Sequence, residues 1–240
     1  MGENSPFRVL MQRTMAAAYD WHNYGKSTIG ARSDIENVPI ERLQAFYRKH
    51  YQPDNAVLTV AGKFDPEKTL ALINQYFGVI PKPAREILPT YTKDPTQDGE
   101  RSVTVRRVGD VKLAMVAYRT PPGAHEDFAA IEVLSSVLGS DPSGRLYKAL
   151  VETKLASNTG SFAFQSKEPG LLLNYAQVLK DNSLDAAKQK MTETLDEVAT
   201  KPVTAEEVER AKSEILKQLD LMFNSSEQVG LVLSEAIGAG

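Results

Sequence analysis

The chain has 240 residues, 42% of them hydrophobic and 25% charged, with a net charge of −3 and no cysteine. That is ordinary globular material, long enough for one large domain or two small ones. It excludes disulfides, a thiolate nucleophile and sulfur metal sites, supplies no basic track for a phosphate backbone, and holds no apolar run near the ~20 residues that cross a bilayer. The first residues, Met1-Gly-Glu-Asn-Ser-Pro, lack the charged-then-apolar order of a signal peptide. The expectation is a soluble chain with neither nucleic acid nor membrane as partner.

Residues 5 to 20 read as a helix, with Val9, Leu10, Met11 and Met15 as its apolar positions. The following run, Trp21 to Gly30, is aromatic and turn-rich, as in an ordered loop. Pro39 opens a second helix whose apolar face is Leu43, Phe46 and Tyr47. Ala56 to Ala61 is short, apolar and partly β-branched, which predicts a buried strand ended by Gly62. Asp65-Pro66-Glu67 then gives an N-cap, a proline at the first helical position and an acid suited to the helix dipole.

Four prolines between Pro81 and Glu100 mark a linker or long extended crossing. Ser102 to Arg107 alternates valine with polar residues and predicts a half-buried strand, forming a hairpin with Leu113 to Tyr118 across Gly109-Asp110. A helix follows over residues 128–138, then a short one over 144–152. Asn158 to Gln165 and Leu171 to Leu179 form a second hairpin around Glu168-Pro-Gly. Ser183 starts a helix reaching about Ala199, Thr204-Ala-Glu-Glu207 is a capping box opening another, and a last helix covers residues 226–236.

Chemistry-bearing residues are sparse. His125 beside Glu126 and Asp127 reads as solvated cap chemistry rather than a metal cluster, and His50 as a helix terminus. His22 belongs to the aromatic loop. Glu206, Glu207 and Glu209, with Asp196 and Glu197, stand among lysines at helical spacing and read as a solvated face rather than paired catalytic carboxylates. Leu171-Leu172-Leu173 reads as core in preference to a peptide-binding sheet edge.

An internal repeat is visible at a constant offset. Asn4, Ser5, Val9 and Ala16 align with Asn224, Ser225, Val229 and Ala236, 220 residues later. With that order in view, Tyr24-Gly25, Thr28-Ile29-Gly30, His50-Tyr51-Gln52-Pro53-Asp54-Asn55-Ala56 and the run closing on Gly62 resemble the insulinase, or pitrilysin-type, zinc metallopeptidases, in the segment after their zinc site. Gly144-Arg145-Leu146-Tyr147 and Thr204 to Lys212 resemble the second repeat of the same family.

The resemblance implies an α+β fold: a mixed or antiparallel sheet with helices packed on one face, assembled here from parts of two repeats. Residues 1–85 correspond to the back half of a first repeat, 86–101 to a linker, and 102–240 to the front part of a second. Family members enclose peptides in a chamber and use an H-x-x-E-H helix with a distant glutamate to bind zinc, which lowers the pKa of water to ~7. The three histidines here are never four apart with a glutamate between. That helix would lie upstream of Met1, and the third ligand too, since Glu3 to Pro6 resembles the run just after it.

The family's later-repeat arginine and tyrosine, about seven residues apart, would fall near Val151 and Ser157, which are neither. Arg145 and Tyr147 stand two apart and read as packing or surface residues. The expectation is therefore a non-catalytic internal portion of a zinc-dependent metalloendopeptidase, supplying scaffold and chamber wall. It has no catalytic or metal residue of its own, and zinc belongs to the parent enzyme.

The alternative from another class is a non-catalytic interaction subunit of a processing-peptidase-like assembly. An unrelated soluble binding module is a third reading. Expected partners are the parent's peptide substrate, the other repeats or a homologous subunit, and a homodimer swapped between two copies. The compartment is not fixed by the residues; the resemblance leans towards a bacterial periplasm. One structural expectation is sharp: residues 1–80 dock onto the sheet of 102–179, within one chain or between two, with Val57 to Val60 paired to it.

Overall fold

The structure is a computed structural model that describes residues 5–89 and 91–239. It divides into two compact units that interleave along the chain. One contains the residues up to Lys26 together with Lys93–Leu219, and the other contains Ser27–Thr92 and Asp220–Gly238.

The first unit is built on an antiparallel sheet of three strands in the order β1-β3-β2, with β1 Lys112–Thr120, β2 Ala156–Ala163 and β3 Gly170–Val178. β3 is central, pairing Met115 with Tyr175 on one side and Gly160 with Tyr175 on the other. Side chains alternate across a pleated strand, so β3 sends Leu172, Ala176 and Val178 to one face and Leu171, Leu173 and Tyr175 to the other. The first face carries the core, where Ala114, Leu172, Ala176 and Val178 meet Leu138, Leu146, Leu150, Ala187, Met191 and Leu195. These helical residues come from α5 (Phe128–Gly139), a π turn over Tyr147–Val151 with its preceding residue, and α6 (Leu184–Thr200).

The opposite face is covered by α1 (Pro6–Ala18), where the Phe7 ring meets Tyr175 edge-on at 5.0 Å. Leu171 and Leu173 are buried, so the triple-leucine run is core on a central strand and cannot act as a sheet edge.

Local sequence accounts for the helix ends. The side chain of Ser5 accepts from Arg8 N at the start of α1, and Ser183 accepts from Ala186 N at the start of α6. Both bonds of the predicted capping box form: Glu207 N donates to Thr204 Oγ1 at 3.2 Å and Thr204 N to Glu207 Oε2 at 2.9 Å, opening α7 (Ala205–Phe223).

Two glycines are required by close approach. A Cβ on Gly139 would lie 2.3 Å from Ser161 N, and one on Gly160 would lie 2.5 Å from the Tyr175 ring, where α5 and that ring each press onto β2. Gly160→Ala is expected to cost about 1–3 kcal/mol by displacing Tyr175 from its seat. A chemical-denaturation midpoint for the variant checks this, and an unchanged midpoint would refute the steric reading.

The second unit contains α2 (Arg32–Asn37), α3 (Ile40–His50), α4 (Pro66–Phe77) and α8 (Ser226–Ala239). Asp65 caps α4 by accepting from Lys68 N at 3.1 Å, as its sequence dictates. α2 has no counterpart in the sequence reading, because its six residues carry no apolar stripe.

Two predicted strands are absent. Ala56 to Ala61 lies in no helix or sheet, and Val57, Leu58 and Val60 are 63%, 55% and 40% exposed. Ser102 to Arg107 is likewise without strand structure, so no hairpin forms across Gly109-Asp110. Both runs have strand chemistry, but a strand exists only with a neighbour to bond. The docking expectation is corrected accordingly: Val57 to Val60 pair with no strand of the described sheet, and the early segment that packs on it is α1.

Candidate functional site

The densest polar constellation gathers where the chain leaves and re-enters the first unit. Asp94 sits just inside the re-entry point, in the proline-rich stretch, with only 8% of its side chain exposed. Its Oδ1 accepts from both Trp21 N and His22 N at 2.9 Å, and its Oδ2 accepts from Arg119 Nη2 at 2.8 Å. Burial pushes the Asp94 carboxyl up, but the bonds from Arg119 and the two backbone N–H groups outweigh it and hold it below the usual carboxylate range.

Arg119 projects from β1, donates to Ala18 O at 2.6 Å and lies 4.2 Å over the Tyr19 ring. Burial pushes the Tyr19 hydroxyl up to about 12, so it stays protonated and donates to Pro169 O at 3.0 Å. Arg101 adds two bonds to Asp20 and one to Ala17 O. These groups hold backbone to backbone. Three of the carboxylate's roughly four lone-pair sites are taken by these donors, so its charge is spent on holding the loop.

A second constellation ties the α6–α7 turn to the π-turn segment. Arg145 donates to Glu207 through Nε and Nη2, both at 2.8 Å, and to Lys201 O and Pro202 O at 2.9 and 3.1 Å. Hydrogen bonding from Arg145 drives the Glu207 carboxyl down to about 2. Glu207 is thus not part of a solvated face, as its helical spacing implies, but is largely buried and paired.

Its folded pKa lies below the unfolded ~4.3, so the stabilisation is present above pH ~4.5 and is lost as pH falls towards 2. Acid titration of the melting temperature should show this loss in the wild type. The slope should be shallower over that window in Glu207→Gln, where only other depressed carboxyls such as Asp94 remain, and an equal slope in both would contradict the pairing.

The other residues singled out by sequence do not converge. His22 Nδ1 accepts from Tyr24 N at 3.2 Å, and its ring packs on Tyr24. His125 Nδ1 accepts from Asp127 N, as cap chemistry requires. His50 ends α3 with its ring 4.5 Å from Phe46. Among the described residues no group of three His, Cys, Asp or Glu is placed to hold a metal ion. The histidines stand at the aromatic loop, at the end of α3 and ahead of α5, and among the described residues none of them joins a converging set of zinc ligands.

Glu209 pairs with Lys212, and Glu197 with Lys201. Val151 is half-buried, while Ser157 donates to Gln177 O at 3.2 Å; neither can hold an oxyanion as an arginine and tyrosine would. Tyr147 is half-buried in the π turn. In the second unit Leu43, Phe46, Tyr47 and Tyr51 line an open depression of about 570 Å³, with the two tyrosine rings stacked at 5.0 Å.

The sequence reading missed Asp94, Arg119 and Tyr19. One signal was available: an arginine in the otherwise apolar run of β1, which demands an anion in a half-buried setting. No helix among the described residues is long and apolar enough to cross a membrane.

The comparisons with known proteins now bear on this arrangement. Residues 37–215 match the family model of the peptidase M16 inactive domain. The zinc protease PqqE of Helicobacter pylori is 31% identical over 236 residues, covering 95% of this chain and 52% of that protein. The probable mitochondrial-processing peptidase subunit beta of Schizosaccharomyces pombe is 24% identical, covering 92% of this chain and 50% of that one. The crystal structure of a protease from Helicobacter pylori superposes with a TM-score of 0.92 at 26% identity, over 99% of this chain and 58% of the other. The chain thus spans about half the length of the relatives it matches. It belongs to the peptidase M16 family, the insulinase-type zinc proteases, and corresponds to a portion containing the family's inactive domain rather than its zinc helix.

Proposed function

We propose that this chain is scaffold and chamber wall of an M16 zinc metalloendopeptidase, non-catalytic by itself, with residues 1–85 closing one repeat and 102–240 opening the next. The match of residues 37–215 to the inactive domain carries this reading. The dispersed, individually engaged histidines support it, as do Val151 and Ser157 at the places of the family's arginine and tyrosine. On this reading zinc, the water-activating glutamate and the peptide substrate belong to the parent enzyme. The chain's own part is to hold a rigid α+β wall, with the Asp94 and Arg145 constellations fixing its loops.

A second reading, a non-catalytic subunit of a heteromeric processing peptidase, is favoured by the likeness to the fission-yeast subunit over 92% of the chain. The coding sequence upstream of Met1 separates the two. An H-x-x-E-H within about a hundred residues, the span of one domain, supports the protease reading. A long upstream repeat without it supports the subunit. A periplasmic location is part of the first reading and is checked by fractionating cells that express the full gene.

A further inference from the structure

We draw no further inference here: the strongest candidate, the open aromatic depression that Leu43, Phe46, Tyr47 and Tyr51 line on α3, is an unpartnered apolar face, and nothing in the structure shows what covers it.

Discussion

Arg145→Ala is expected to destabilise the first unit by about 2–4 kcal/mol, the cost of removing one partner of a largely buried, multiply bonded ion pair. The side chains of Arg145 and Glu207 are 17% and 18% exposed, so little water can replace the lost contacts. The variant leaves Glu207 with only its bonds from Thr204 and removes the donor to the Lys201 and Pro202 carbonyls. With ~2–4 °C per kcal/mol for a chain of this size, the melting temperature should fall by roughly 5–15 °C. Arg145→Lys should recover only a minor part, since a point charge cannot fork to one carboxylate and two carbonyls at once. A melting temperature within ~1 °C of wild type would show that the pair is not the fastening inferred from its geometry.

Asp94→Ala is expected to have a comparable local cost, about 2–4 kcal/mol, with a different signature. The substitution removes the acceptor of Arg119 and of the Trp21 and His22 N–H groups, leaving the Arg119 and His22 donors partly shielded from water. The sheet core does not depend on Asp94, so global unfolding should shift little. Residues 19–25 and 93–101 should instead lose amide protection together, by up to about a hundredfold in exchange rate.

Asp94→Asn keeps an acceptor for the N–H groups but not the charge for Arg119, and should sit between alanine and wild type. Hydrogen-exchange mass spectrometry reads both segments in one experiment. Loss of protection in only one of them would mean that Asp94 does not couple the two crossings. The dependence on acid follows the same sign: the depressed carboxyl stabilises above its unfolded ~3.9 and releases as pH falls below it.

Local chemistry was legible in the sequence wherever it was sufficient. Asp65, Ser183 and Thr204 with Glu207 each specify a helix start within four residues, and each start is where the caps place it. The leucines of β3 and the Glu168-Pro-Gly turn specified a hairpin with β2, because both partners lie close in sequence.

What failed depended on distant neighbours. Ala56 to Ala61 and Ser102 to Arg107 have the composition of strands but no neighbour to complete the ladder, and composition cannot reveal that. Asp94 and Arg119 are 25 residues apart, and no spacing rule links them. Glu207 looked like one acid on a charged helix until Arg145, 62 residues earlier, was seen beside it. The repeat is legible as four sequence matches; Ser5 and Ser225 each cap a helix, as Ser183 also does.

A non-catalytic part of an M16 zinc protease should hold less than stoichiometric zinc and show no chelator-sensitive cleavage of peptides. Zinc content and peptide hydrolysis of the purified 240-residue chain, measured with and without a chelator, decide the matter; one zinc per chain together with chelator-sensitive peptide cleavage would show that the chain is itself catalytic.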